Sequence, residues 1–192
     1  MAVLSDPGRS EAVLVGVHDC VNLEKLPAVA RNLVGLREAL TDPAVWALPD
    51  EACTVLSRPG SAGQVLDTVR ERARKARDTL LIYYAGHGLT DPHTDELSLA
   101  LPDSDREREY TSLRYEYLRR AVLDPRAGVR RTVVILDVVG LAVPWRAGLV
   151  VCASSGGGVC EGGQVVADVP GRLVGVEAGD VYGEDLPGGG GQ

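Results

Sequence analysis

A histidine flanked by two glycines ends an apolar run of the chain, in the segment LLIYYAGHG at residues 80–88. The run is typical of a buried strand, and Gly-His-Gly predicts a tight turn that exposes the His87 imidazole at the edge of a sheet. Such an imidazole can serve as the base that a thiol nucleophile needs, and the Gly88 N–H can donate to the oxyanion of a tetrahedral intermediate. The competing interpretation is a turn histidine that only forms local hydrogen bonds.

Two further segments with reactive side chains follow predicted strands. His18, Asp19 and Cys20 come directly after the apolar run at residues 12–17, and Asp137 ends the run TVVILD. The carboxyl ends of parallel strands lie at one edge of a sheet, where open α/β sheets bind their ligands. We therefore expect these residues to converge with His87. Taken alone, Asp137 is either a charged pocket residue or a turn former.

The cysteine pattern predicts reduced thiols and no metal site. The four cysteines, at positions 20, 53, 152 and 160, have no disulfide-framework spacing. His18 and Cys20 lie close together, but no second pair has the spacing to complete four-coordinate zinc. Neither a GxGxxG nor a GxxxxGK[ST] phosphate loop is present, so we expect no cofactor.

Charge and hydropathy limit the classes of partner. A net charge of −7 with 20 basic residues disfavours nucleic acid, because phosphate binding needs a clustered positive surface. No segment reaches the roughly 18 to 20 apolar residues that span a bilayer. The N-terminal sequence lacks the basic and apolar regions of a signal peptide. We therefore expect a cytoplasmic protein without a membrane partner, and the oligomeric state stays open.

Short apolar runs alternate with helical stripes along residues 12–137. This alternation predicts an α/β fold with a mainly parallel sheet and helices on both faces. Ser61 and Gln64 have the capping-box pattern of a helix start, and Thr111 and Ser112 are candidate caps of a later helix that directs Tyr117 inward. Strands are predicted at 12–17, 53–56, 79–84 and 132–136, with an edge strand or hairpin arm at 97–101, and helices at 26–40, 62–76 and 113–122.

The composition changes sharply after Asp137. Residues from Gly140 onward hold 15 of the 23 glycines and no lysine. Such a sequence has much backbone entropy to lose on ordering and little patterned apolar surface to offset it. We therefore divide the chain into a domain at 1–137 and a Gly-rich, partly disordered segment at 138–192, with short strand candidates at 149–152 and 174–176 and no fixed structure beyond about 183.

Five segments together resemble the caspase-family peptidases of the bacterial, metacaspase-like kind. In order, they are VLVGVHDC, LPAVARNLVGLREAL, LLIYYAGHG, LALPDSD and VVILD, and they cover residues 12–137. The resemblance implies a caspase-like three-layer sandwich and a cysteine endopeptidase that cuts a peptide or protein substrate after Arg or Lys. It also implies that His87 is the base, Gly88 an oxyanion donor and Asp137 an acidic residue of the pocket for the basic P1 side chain. Asp19 is a weaker candidate for the same pocket.

The sequence departs from that family at the nucleophile. In the family, VVILD is typically continued by a sequence like CCFSG, whose second cysteine attacks the substrate, whereas Val138 and Val139 follow here. A valine cannot attack a carbonyl carbon. Cys20 is the thiol expected nearest the same sheet edge, and is therefore the candidate for a substitute nucleophile.

Two main functional hypotheses follow from this departure. The first is an incomplete peptidase domain that is inactive because Val138 and Val139 replace the cysteine motif. The second is a non-catalytic pseudopeptidase module that keeps the cleft and binds basic peptide segments. A receiver-like or nucleotide-binding α/β domain is weaker, because the phosphate-cradling glycines and an acidic cluster for magnesium are both missing from the sequence.

Overall fold

The computed structural model describes residues 5–91, 93–94, 96–124 and 127–139, together with the backbone of 149–154. Within this part of the chain the helices are α1 (Pro27–Thr41), α2 (Ala62–Lys75) and α3 (Tyr115–Val122), and short 3₁₀ turns lie at Pro7–Arg9, Asp50–Ala52 and Glu109–Thr111. The strands are β1 (Glu11–Gly16), β2 (Cys53–Ser57), β3 (Thr79–Thr90), β4 (Leu97–Leu99), β5 (Leu113–Arg114), β6 (Arg131–Val139) and β7 (Leu149–Ser154).

The sheet is mixed, and β3 lies at its centre. β1 and β6 flank β3 on its two sides, β2 lies outside β1, and these four strands run parallel. β4 and β5 continue from the far end of β3 as antiparallel strands, and β7 is antiparallel to β6. The protein is therefore α/β, and the parallel arrangement expected from the sequence holds for the four central strands and not for the whole sheet.

Alternate side chains of the central strands enter two separate apolar clusters. The first, called here the α1 cluster, joins Leu14 and Tyr83 to Leu33 of α1. The second, the α2–α3 cluster, contains the side chains that alternate with these along the strands. Val15 and Ile82, for example, pack there against residues of α2 and α3. Because successive side chains of a strand point to opposite faces, the continuous apolar runs of β1 and β3 supply both clusters at once.

The predicted start of α2 is confirmed. The Ser61 hydroxyl accepts a hydrogen bond from the Gln64 N–H at 3.1 Å, and the Gln64 side-chain oxygen accepts one from the Gly60 N–H at 2.8 Å. These bonds satisfy backbone donors that would otherwise lack a partner at a helix start.

The expected start of α3 was wrong. Ser112 does not cap it, because Leu113 and Arg114 extend first as β5 against β4, and the helix begins only at Tyr115. The buried stripe of α3 consists of Leu118, Ala121 and Val122. Tyr117 stands beside this stripe and is 48% exposed, so its expected inward position was also wrong.

The tight turn expected around His87 is absent, because β3 runs straight through it. Gly88–Thr90 pair with Leu97–Leu99 of β4 in antiparallel register, so the backbone finds new partners where β1 ends and has no need to turn. The imidazole is correspondingly buried, with 5% of the residue exposed, and not displayed on a turn as predicted.

The C-terminal part of the described chain continues the sheet. β6 runs through Asp137 to Val139, and the backbone of residues 149–154 pairs with β6 as β7, where the sequence favoured a short strand. The other candidate strand at 174–176 and the final segment beyond 183 lie outside the described residues.

A buried carboxylate ties the starts of β3 and β6 to the N-terminal segment. Asp78 is 4% exposed at its side chain; its two oxygens accept hydrogen bonds from Arg131 Nη2, each at 2.9 Å, and Oδ2 also accepts one from the Asp6 N–H at 2.7 Å. The hydrogen bond from Arg131, followed by that from Asp6, lowers the pKa of Asp78 from 3.8 to about 2. The ionised form therefore stabilises the fold.

We expect Asp78→Asn to lower the free energy of unfolding at pH 7 by about 2 kcal/mol, because the amide loses the charge-assisted bonds. A carboxyl group with a lowered pKa contributes its full stability above its unfolded value of 3.8 and loses it as the pH falls toward about 2. The difference between wild type and variant in urea denaturation should therefore shrink across that window. Asp67→Asn, at an 81% exposed carboxylate paired with Arg70, is the control and should cost under about 0.5 kcal/mol. Equal effects of the two variants would contradict the assignment.

Candidate active site at the carboxyl edge of the sheet

His87 holds a defined orientation inside the end of β3. Its Nε2 lies 2.7 Å from the backbone carbonyl oxygen of Glu24, and its Nδ1 is buried without a hydrogen-bond partner among the described residues. A carbonyl oxygen only accepts hydrogen bonds, so Nε2 must carry the proton and Nδ1 of the neutral ring carries the lone pair. The ring therefore presents a proton acceptor that nothing in the described structure uses.

The Glu24 carbonyl is held by the loop between β1 and α1. The Leu26 N–H donates to the His18 carbonyl at 2.8 Å, and the Val21 N–H donates to the Pro102 carbonyl at 2.9 Å. These backbone bonds fix the loop on both sides of Glu24. The orientation of the imidazole thus depends on backbone geometry and on no particular side chain at position 24.

A buried tyrosine, Tyr84, connects the end of β3 to the residue that follows β4. The Tyr84 hydroxyl donates to the Ala100 carbonyl at 2.7 Å, and the Ala100 N–H donates to the His87 carbonyl at 3.0 Å. A side chain at Gly86 would place its Cβ 2.6 Å from the Tyr84 hydroxyl oxygen. The glycine before His87 is therefore needed for this close approach, whereas the sequence interpretation had assigned it to a turn.

Val139 lies directly beside His87 on the neighbouring strand. The two residues are register partners in the parallel pair β3–β6. Register partners of parallel strands share a face and lie about 4.8 Å apart. Val138 points to the other face and is buried in the α2–α3 cluster, whereas Val139 is 47% exposed.

Asp137 lies two residues before Val139 on β6, on the same face of the sheet. Its register partner is Ala85, and its Oδ2 accepts hydrogen bonds from the Tyr83 hydroxyl at 2.9 Å and from Asn32 Nδ2 of α1 at 3.5 Å. Both donors are neutral, and Asp137 forms no ion pair with a described residue. Burial, followed by the bond to Asp137, raises the pKa of Tyr83 to about 12, so Tyr83 stays a donor. The described residues therefore place only neutral donors against this carboxylate.

Gly88 continues β3 beyond His87, opposite Leu99 of β4. Because the Ala100 N–H bonds to the His87 carbonyl, the next N–H along the strand, that of Gly88, points away from β4 toward the side where β6 ends. This is the side of Val139. The role of Gly88 as an oxyanion donor stays a prediction.

Cys20 and Asp19 lie near the same edge in less suitable surroundings. Cys20 is buried in the α2–α3 cluster, on the face opposite His87, with its thiol 3.8 Å from the Leu101 carbonyl oxygen. Burial raises the pKa of this thiol, which disfavours the thiolate that a nucleophile needs. The Asp19 carboxylate is already engaged by Lys25 at 3.1 Å and by Arg58 at 3.6 Å.

Three contributors to the site were missed by sequence reasoning. No motif marks Tyr83 or Asn32 for the site, although alternation along β3 and β6 places Tyr83 and Asp137 on the same face of the sheet. Glu24 contributes a backbone oxygen, for which no side-chain signal exists. Among the described residues, no group of three or more His, Cys, Asp or Glu side chains is arranged to hold a metal ion.

No protein-family model matches this chain, and no curated protein matches it either. None of the described helices has the length and apolar character needed to cross a membrane.

The geometry makes a spectroscopic prediction. We expect neutral His87 to be the Nε2–H tautomer, because its Nε2 must donate to the Glu24 carbonyl. Long-range proton–nitrogen correlation spectra of uniformly ¹⁵N-labelled protein distinguish the two tautomers, and His93, in the loop after β3, serves as the internal comparison. A His87 ring protonated at Nδ1 would contradict the assignment.

Proposed function

We propose that this chain is a caspase-like cysteine peptidase domain that has lost its nucleophile and does not itself cleave peptides. The single observation that carries the proposal is the pairing of His87 with Val139. A buried histidine, whose Nδ1 has no partner among the described residues, lies in register with a residue of the adjacent parallel strand that has no reactive atom. In the motif that the chain resembles, this residue is the attacking cysteine.

The finer architecture belongs to the same proposal. Four parallel strands with α1 packed in one cluster and α2 and α3 in the other support a caspase-like three-layer sandwich. The antiparallel strands β4, β5 and β7 would then be additions around a mainly parallel centre.

A thiol at position 139 would complete the chemistry. Its proton would pass to His87 Nδ1, its sulfur would add to the scissile carbonyl carbon, and the oxyanion formed would accept a hydrogen bond from Gly88. The imidazolium would then protonate the leaving amine as the C–N bond breaks, and water would hydrolyse the thioester. Every one of these steps requires the sulfur that valine lacks.

We expect the natural chain to show no measurable cleavage of peptides with Arg or Lys at P1. Val139→Cys should create activity that falls by about 10²- to 10⁴-fold on adding His87→Ala, the usual contribution of a general base. Adding His87→Ala should also slow alkylation of the introduced thiol, because the imidazole base activates the thiol for alkylation as well. Peptide turnover and iodoacetamide modification measure the two effects.

Val138→Cys is the matched control, because its side chain enters the buried cluster on the other face. It should gain neither activity nor His87-dependent alkylation. Equal behaviour of the two cysteine variants would refute the proposed site. Cleavage by the natural chain that Cys20→Ala abolishes would instead identify Cys20 as the nucleophile.

A second candidate function is recognition of basic peptide segments without cleavage. The observation that favours it is the Asp137 carboxylate, which has neutral partners and no neighbouring cation among the described residues. A Lys or Arg side chain could supply the missing positive charge, and a partly buried pair of this kind is worth more than a surface ion pair.

We expect Asp137→Asn to weaken binding of a labelled Arg-containing peptide by about tenfold, measured by fluorescence anisotropy. Asp19→Asn is the control and should change binding by less than about twofold, because Lys25 and Arg58 already neutralise that carboxylate. A larger loss of binding with Asp19→Asn than with Asp137→Asn would show that Asp19, and not Asp137, binds the basic side chain.

A further inference from the structure

The outer edge of β2 is unpaired in the part of the chain that the structure describes. β2 pairs with β1 on one side, and no described strand pairs with its other side. Its sequence, CTVLS, contains neither a charged residue nor a proline, which are the usual devices that stop an edge strand from pairing with another chain. This edge is therefore a template for an additional strand.

The backbone groups that face outward can be identified. The Arg58 N–H donates to the Gly16 carbonyl of β1 at 2.9 Å. Backbone groups two residues apart in a strand point the same way, so Thr54 and Leu56 also face β1, whereas Val55 and Ser57 face outward. Val55 stands at the middle of the strand, and its outward N–H and C=O have no partner among the described residues.

No described residue covers the surface of α1 next to this edge either. A groove of about 370 Å³ separates α1 from the outer edge of β2, and its lining includes Val34, Val55 and Ser57. Val34 is 58% exposed, so α1 presents an apolar side chain beside this groove. No atom lies within 4 Å of the position that a Cβ on Gly35 would occupy, so another helix can approach closely there.

Two opposite charges flank this small apolar centre. Arg31 lies three residues before Val34, and Glu38 lies three residues after Gly35, on the same exposed face of α1. Neither side chain forms an ion pair with a residue of the described chain. Two antiparallel copies of this helix, related by a two-fold axis at Val34–Gly35, would place each Arg31 opposite the Glu38 of the other copy. The surface is thus complementary to itself.

We propose that the outer edge of β2 and the exposed face of α1 form a two-fold interface with a second copy of this chain. The two β2 strands pair antiparallel about Val55, whose N–H and C=O exchange hydrogen bonds with Val55 of the second copy, and the sheets of both copies become continuous. α1 packs beside its symmetry mate, with the Arg31–Glu38 pairs at either end. One axis serves the strands and the helices, as an isologous interface requires.

Charge reversal tests the proposal on the full chain. We expect the natural protein to show a concentration-dependent monomer–dimer equilibrium in sedimentation velocity. Arg31→Glu or Glu38→Arg alone should raise the dissociation constant of the dimer at least about tenfold, because like charges then face each other. The combined variant Arg31→Glu/Glu38→Arg should return to within about threefold of the natural value, since the opposite charges are only exchanged.

Changes of equal charge on α2 provide the matched controls. Arg74→Glu and Asp67→Arg alter net charge to the same extent on a helix packed in the other cluster, and should leave the dimer unchanged. Ser57→Pro removes an outward N–H without disturbing the bonds to β1, and should weaken the dimer while the circular dichroism spectrum stays native. A natural chain that stays monomeric at every accessible concentration would overturn the proposal. A dimer unaffected by both single reversals, or by Ser57→Pro, would also overturn it.

Discussion

The pairing of β3 on both sides is the constraint on which the rest of the structure depends. Between Leu80 and Ala85 the strand is held by β1 on one side and β6 on the other, and its register with β6 continues to the His87–Val139 pair. A slip of one residue would turn every side chain to the opposite face and exchange the two apolar clusters. The burial of these alternating side chains therefore sets which residues share the carboxyl edge.

Because β3 is buried, its polar side chains need hydrogen-bond partners within the protein. β3 carries Tyr83, Tyr84 and His87 into regions with little water, and a buried polar group left without a partner costs about 1–3 kcal/mol. Tyr84 finds the Ala100 carbonyl, Tyr83 finds Asp137, and His87 finds the Glu24 carbonyl at Nε2. His87 Nδ1 is the exception among these atoms. Buried atoms of His18, Trp46 and Thr54 also lack a partner among the described residues, so the unsatisfied Nδ1 supports the proposed site only together with its position beside Val139.

The carboxyl edge of the sheet thus places an oriented proton acceptor, His87 Nδ1, on the strand next to the unreactive side chain of Val139. His87 is oriented, Asp137 has only neutral hydrogen-bond donors among the described residues, and Val139 offers only methyl groups. The proposed recognition of basic peptides needs only the first two features, because binding requires shape and charge, whereas cleavage also requires an electron pair on a reactive atom.

Local sequence patterns determined the elements that depend on neighbouring residues alone. The capping box at Ser61, the stripes of α1 and α2 and the four central strands follow from spacing, because side-chain periodicity and helix-end hydrogen bonds act over a few residues. The candidate residues at the sheet edge were also found this way, since parallel strands all end on one side.

Tertiary structure alone decided the relations between distant segments. The turn expected at His87 became a continuous strand because β4, ten residues later, supplied hydrogen-bond partners. The start of α3 moved because Arg114 pairs with Ser98 before the helix begins. Cys20 entered the cluster opposite His87, and the atom that orients the imidazole is a backbone oxygen 63 residues away in the chain. Backbone groups are chemically alike at every position, so no sequence pattern could single out Glu24, and only the packed fold brings its carbonyl to the ring.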